Sequence, residues 1–132
     1  MMVFGPGPKE GRIVDERVAA ALRTDRTIDI TTYGRRSGQP RRIETWLYRV
    51  GERFFLTGSP GRRDWYANLL ANPSLVIHLK ESVIADVTAG AVPVTGQEER
   101  RAALAAVLDD LGQPEDLEAW MVGSPLIEVI VG

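Results

Sequence analysis

Two periodicities alternate along the chain. Residues 14–22 place Val14, Val18, Ala21 and Leu22 three or four positions apart, so a helix is expected after the start Phe4-Gly5-Pro6-Gly7-Pro8, which cannot sustain regular structure. Residues 27–33 switch to a period of two, are rich in β-branched side chains, and predict a strand stopped by Gly34. Beyond the turn Ser37-Gly38-Gln39-Pro40, a second strand puts Arg42, Glu44, Trp46 and Tyr48 on one face and Ile43, Thr45 and Leu47 on the other. Gly51-Glu52 then folds the chain into residues 53–57 as a hairpin.

Gly58-Ser59-Pro60-Gly61 interrupts the pattern, and a helix over residues 63–70 ends before Pro73, which cannot continue it. Strands are expected at 75–80, 83–94 and 126–131. Thr95 and Glu98 have the spacing of a capping box and open a helix to about residue 111, with a short helix over 117–121. About six short strands, joined mostly by hairpin-like connections, predict an α+β chain: a closed or split antiparallel β-barrel with peripheral helices. No glycine fingerprint follows the first strand, which sets aside a doubly wound parallel sheet.

Length refines this to one domain over residues 1–132, with residues 1–12 a loose N-terminal arm. Apolar residues at 44% and charged residues at 26% are ordinary globular proportions, and the net charge of −2 provides no global field for nucleic acid. The absence of cysteine removes disulfides, thiol nucleophiles and thiolate metal sites, and the single histidine, His78, excludes a histidine-rich metal centre. No metal is expected. Neither a signal peptide nor an apolar run of membrane-spanning length is present, so the expectation is a cytoplasmic protein without an integral membrane segment.

Chemistry concentrates in one turn. Arg35, Arg36, Arg41 and Arg42 fall within eight residues, preceded by Gly34 and interleaved with Ser37, Gly38 and Pro40. Guanidinium groups fork onto phosphate or carboxylate, and turn amides form anion-binding concavities. Taken alone, the turn reads equally as an anion site and as a solvated loop that keeps a sheet edge soluble. Nucleic-acid binding is weakly supported, since Trp46 and Tyr48 are too few for a stacking platform. Trp65 and Tyr66 at helical spacing read first as core, His78 as an exposed or partly buried structural histidine, and Glu44 as a cross-strand partner for an arginine. A sharper expectation is that Glu44 and His78 meet across strands as an acid-base pair.

The run Thr31-Thr32-Tyr33-Gly34-Arg35-Arg36-Ser37-Gly38-Gln39-Pro40-Arg41, followed by Asp64-Trp65-Tyr66-Ala67-Asn68-Leu69-Leu70-Ala71-Asn72-Pro73, resembles the deazaflavin-dependent nitroreductase family over about residues 28–94. The resemblance implies a split barrel of the FMN-binding type and an oxidoreductase that passes hydride from reduced coenzyme F(420) to a quinone, nitroaromatic or activated alkene. It implies that Arg35, Arg36, Ser37 and Arg41 hold the cofactor's phosphate and oligoglutamate tail, with Arg42 and Ile43 nearby. Thr57, Gly58 and Ser59 would face the ring, and Trp65, Tyr66 and Asn68 would complete the wall. Ser59 is then the expected catalytic residue, polarising the acceptor, and Trp46, Glu44 and Trp120 are the expected substrate-pocket residues. The loop of residues 59–64 is short and lacks the family's lysine after the serine, Arg62 and Arg63 supplying charge instead. Glu44-Thr45 replaces a usual proline-leucine pair, and Leu117 stands near a usual tyrosine. FMN, FAD or haem, a non-catalytic cofactor-binding role, and a homodimer remain alternatives at this level.

Overall fold

The computed structural model describes residues 15–132, so the expected arm over 1–12, and Val14, lie outside the described residues. The first helix, α1 (Glu16–Thr24), starts where the Asp15 carboxylate accepts the Arg17 amide at 2.8 Å, and it buries Ala21 and Leu22. Seven strands follow in chain order: β1 (Thr27–Tyr33), β2 (Pro40–Trp46), β3 (Tyr48–Val50), β4 (Arg53–Thr57), β5 (Ser74–Leu79), β6 (Ala85–Pro93) and β7 (Leu126–Val131). All neighbours pair antiparallel in the order β2-β1-β5-β6-β7-β4-β3.

The count is seven rather than six because the second expected strand breaks at Leu47. That residue is fully buried, and its amide donates to Arg26 O at 2.8 Å instead of continuing a ladder. The break dictates the architecture. β2 and β3 are the opposite edges of the sheet, yet only Leu47 separates them. Two Cα steps reach about 7.6 Å, whereas the edges of a flat sheet with six inter-strand gaps would lie about 29 Å apart. The sheet therefore curls until its edges approach, an incomplete barrel whose edge strands do not pair.

Period-two alternation fills the inside of the curl with Ile28, Ile30, Leu56, Leu75, Ile77, Leu79, Ile127 and Val129, all at most 2% exposed. α1 and a second helix, α2 (Asp64–Ala71), close it with Leu22, Trp65 and Leu69. A second core lies on the outer face of β3, β4 and β7. There Tyr48, Phe55 and Leu126 meet Leu104, Val107 and Leu108 of α3 (Gln97–Leu111) and Trp120 and Met121 of α4 (Leu117–Gly123). The expected Thr95–Glu98 capping box is not formed, since α3 begins one residue later with Gly96 at its N-cap and no side-chain cap bond. Val94 is buried and its amide donates to Leu126 O at 3.0 Å, which keeps the chain extended past the point where the box would start. None of the helices among the described residues is long and apolar enough to cross a membrane.

Candidate functional site

The arginine segment is the closed end of the β1–β2 hairpin. The Gly34 amide donates to Gln39 O and the Gly38 amide to Gly34 O, both at 2.8 Å, with Gly38 in the left-handed region at φ 74°. Ser37 Oγ accepts the Gln39 amide at 3.1 Å and lies 2.6 Å from where a Cβ on Gly34 would stand, so the hydroxyl can fold over the turn only above glycine. Arg35, Arg36, Ser37 and Arg41 thereby reach one cavity of about 430 Å³, floored by Thr32, Ile43, Trp65 and Asn68.

α2 supplies that floor because Trp65, Asn68 and Leu69 share its buried face at helical spacing. Asn68 is only 3% exposed, and its side chain is satisfied at both ends. Its Oδ1 accepts from the Arg35 amide at 3.1 Å and from Arg35 Nη1 at 3.0 Å, while Nδ2 donates to Thr32 Oγ1 at 3.2 Å. Thr32 is the polar end of the inner row Ile28, Ile30, Thr32. Arg35 also approaches Asp64 at 3.4 Å, but both side chains are exposed and the pair contributes little. Among the described residues Arg36 and Arg41 have no carboxylate partner, so the cavity sets three guanidiniums against Asp64 alone.

A larger cavity of about 820 Å³ adjoins it and shares Arg35 and Asp64. Its lining combines the cationic side chains Arg62, Arg63 and Arg100 with apolar surface from Val94, Met121, Val122 and Pro125. Arg63 Nη2 donates to Ser59 O at 2.9 Å and to Ser59 Oγ at 3.5 Å. Arg100 Nη2 donates to the carbonyls of Trp120, Met121 and Ser124 at 3.2, 3.0 and 3.0 Å, closing the C-terminal turn of α4.

The expected site residues divide into two groups. Arg35, Arg36, Ser37, Arg41, Ile43, Trp65 and Asn68 converge on the smaller cavity, and Tyr66 opens on the larger. Arg42 turns away and donates to Asp29 at 3.0 Å. Thr57 is buried, its hydroxyl donating to Pro125 O at 2.6 Å, and a Cβ on Gly58 would stand 2.9 Å from Arg63 Nη2. Thr57, Gly58 and Ser59 line neither cavity. Trp46 lies at the other end of β2, paired with Thr27, its ring under the Arg26 guanidinium at 5.2 Å. Trp120 is buried in the second core.

Glu44 and His78 do not meet, because β1 runs between their strands and Asp29 stands opposite each of them. Glu44 accepts from Lys80 at 2.5 Å, a lysine rather than the expected arginine. His78 is buried, more so than expected, with Thr31 Oγ1 on Nε2 and Asp86 Oδ1 on Nδ1, both at 2.7 Å. On the same outer face the hydrogen bond from Lys80 holds Asp29 below the usual aspartate range against its partial burial, with Arg42 adding to it, and Lys80 is raised in turn.

Sequence reasoning missed Thr32, Asp64, Arg100 and Ser124. Thr32 carried a signal, a polar side chain in an otherwise apolar inner row, but Arg100 and Ser124 lie far along the chain from the motif and carried none.

Known structures share this fold at low identity. An F(420)-H(2) dependent reductase (FDR-A) is 22% identical with a TM-score of 0.57, covering 80% of this chain and 94% of its own. The conserved hypothetical protein Rv2991 from Mycobacterium tuberculosis is 17% identical with a TM-score of 0.68, covering 91% and 81%. The heme storage protein HutZ from Vibrio cholerae is 16% identical with a TM-score of 0.64, covering 92% of both chains. At these identities the likeness defines the split-barrel fold. Residues 11–114 match the family model for F(420)H(2)-dependent quinone reductase, which spans well over half of the sequence. The chain with this arginine-lined hairpin therefore belongs to the F(420)H(2)-dependent quinone reductase family.

Proposed function

We propose that the protein binds reduced coenzyme F(420) at the arginine hairpin and reduces a small conjugated acceptor of the quinone type. The observation that carries this is the convergence of Arg35, Arg36, Ser37 and Arg41 on one cavity, with a single carboxylate among them. The donor set fits a deazaflavin bearing a phosphate and glutamates: guanidinium forks suit phosphate and carboxylate oxygens, and the Ser37 hydroxyl keeps its own proton free to donate. When bound, the reduced deazaflavin supplies hydride to the acceptor, which takes up a proton from water and leaves as the hydroquinone.

The protein's residues position and polarise. Asn68 fixes Arg35 by gripping both its backbone and its guanidinium, and Thr32 in turn fixes Asn68. Trp65 and Ile43 give the cavity apolar surface against which a ring can pack. Ser59 is the proposed polarising group: its oxygen accepts from Arg63, which makes its O–H a stronger donor toward a developing oxyanion. Reaching an acceptor requires the exposed 59–63 loop to lean over the larger cavity. Glu44, Trp46 and Trp120 have no part in this reading, being set apart from both cavities.

The test is titration of the purified protein with F(420), FMN, FAD and haem, in the wild type and in Arg35→Ala/Arg36→Ala. F(420) should bind preferentially, and the double variant should weaken it by about a hundredfold, two charge-assisted contacts of about 1.4 kcal/mol each. The loss should be largest at low salt. Preference for another group, or unchanged affinity in the double variant, refutes the proposal.

A further inference from the structure

We infer that the larger cavity is an acceptor site built for an anion, a flat conjugated carbonyl compound such as a quinone that carries a carboxylate or sulfonate. The inference takes the hydride source from the reading above, while the binding of the acceptor stands on the cavity itself.

The charge balance of the wall is the first observation. Arg35, Arg62, Arg63 and Arg100 line the cavity against one carboxylate, Asp64. Arg63 and Arg100 spend their hydrogen bonds on neutral backbone carbonyls and the Ser59 hydroxyl, so their positions are fixed and their charge is not cancelled. Arg62 is exposed, and its guanidinium has no acceptor among the described residues. An anion held by Arg62 would gain a charge-assisted bond inside a field of fixed positive charge.

An orphaned hydroxyl is the second. Ser124 lines the same cavity, is 5% exposed, and its Oγ has no hydrogen-bond partner. A buried hydroxyl without a partner destabilises the folded protein, and such a group in a native structure calls for a ligand or ordered water to complete it. Val94, Met121, Val122 and Pro125 add apolar surface to the same cavity and suit the flat hydrocarbon part of the same molecule. The cavity's size, about 820 Å³, is within the range of small-molecule sites. A cationic cluster, an unpartnered hydroxyl and adjoining apolar surface together select an amphipathic aromatic anion over its neutral parent and over a cationic acceptor.

The experiment is an equilibrium titration of the full-length protein with a naphthoquinone sulfonate and with unsubstituted naphthoquinone, read by tryptophan fluorescence. It needs no turnover, so its result is separable from that of the deazaflavin assays. The sulfonate should bind about tenfold tighter at low salt, with the preference shrinking as salt is added. Arg62→Gln should remove most of the preference. Ser124→Ala should weaken the sulfonate several-fold while its Tm holds or rises, an outcome that a merely structural serine would not give. Arg23→Gln, an exposed arginine on α1 that lines neither cavity, is the control and should retain the preference. Equal or undetectable binding of the two quinones overturns the inference, as does a preference that survives Arg62→Gln or is eroded equally by Arg23→Gln. Weakened F(420) binding in Arg62→Gln without any change in the quinone preference also overturns it, assigning the cluster to the cofactor's tail.

Discussion

In the proposed function Asn68 links stability to cofactor binding, and two substitutions separate the contributions. In Asn68→Ala the Thr32 hydroxyl, in a residue 1% exposed, loses the partner given to it by Nδ2, while the Arg35 amide at the more open turn can return to water. An orphaned buried hydroxyl costs about 1–3 kcal/mol, so the expected loss is about 2 kcal/mol, or roughly 6–10 °C in Tm for a domain of this size. Freed from Oδ1, the Arg35 guanidinium must be ordered again on binding, and the Kd for F(420) should rise about tenfold. Asn68→Asp separates the two effects. Its carboxylate can still accept from Arg35, and the Thr32 hydroxyl can turn to donate to it, so much of the stability is retained. It also cancels one of the three positive charges lining the smaller cavity, so the Kd should rise at least as much as in the alanine variant, and most at low salt. Thermal melts and fluorescence titration of both proteins check this. An aspartate variant that binds F(420) like the wild type, or an alanine variant that loses Tm without losing affinity, would refute the role of Asn68 in positioning Arg35.

Three other outcomes are expected. Gly34→Ala places a Cβ 2.6 Å from Ser37 Oγ, so the serine must swing out and release the Gln39 amide; F(420) affinity should fall several-fold with little change in far-UV circular dichroism. Ser59→Ala removes the hydroxyl proposed to polarise the acceptor and should lower kcat by about tenfold or more while leaving the cofactor Kd near its wild-type value, measured by stopped-flow and titration. Asp29→Asn should reshape stability against pH. The folded carboxylate is held below its ordinary value by the Lys80 hydrogen bond, so its contribution is full above the unfolded aspartate pKa and is lost as pH falls through the lowered folded value. The variant should therefore be less stable than the wild type at neutral pH and converge with it in acid, and denaturant melts across that range that stay parallel would count against the Lys80–Asp29–Arg42 network.

Local pattern carried much of this protein. The alternation of Ile28, Ile30 and Ile77, Leu79 marked strand faces, proline at 73 ended α2 where expected, and the arginine-glycine turn together with the Trp65–Asn68 helix identified the family. The arginine hairpin was legible because its residues are neighbours in the chain, so turn chemistry and charge density speak directly.

What the sequence could not display depends on distance in space. The curl of the sheet turns on Leu47, which reads as one more alternating strand residue until its burial and its bond to Arg26 break the ladder. Glu44 and His78 appeared able to meet, but strand order interposes β1, and Lys80 and Asp86 take the bonds. The second cavity joins Arg35 and Arg62 to Arg100 and Ser124 across more than half the chain. Turn and face preferences are local energies written in consecutive residues, whereas strand order and cavity walls follow from which apolar faces must be buried against each other. Only the folded sheet resolves that choice.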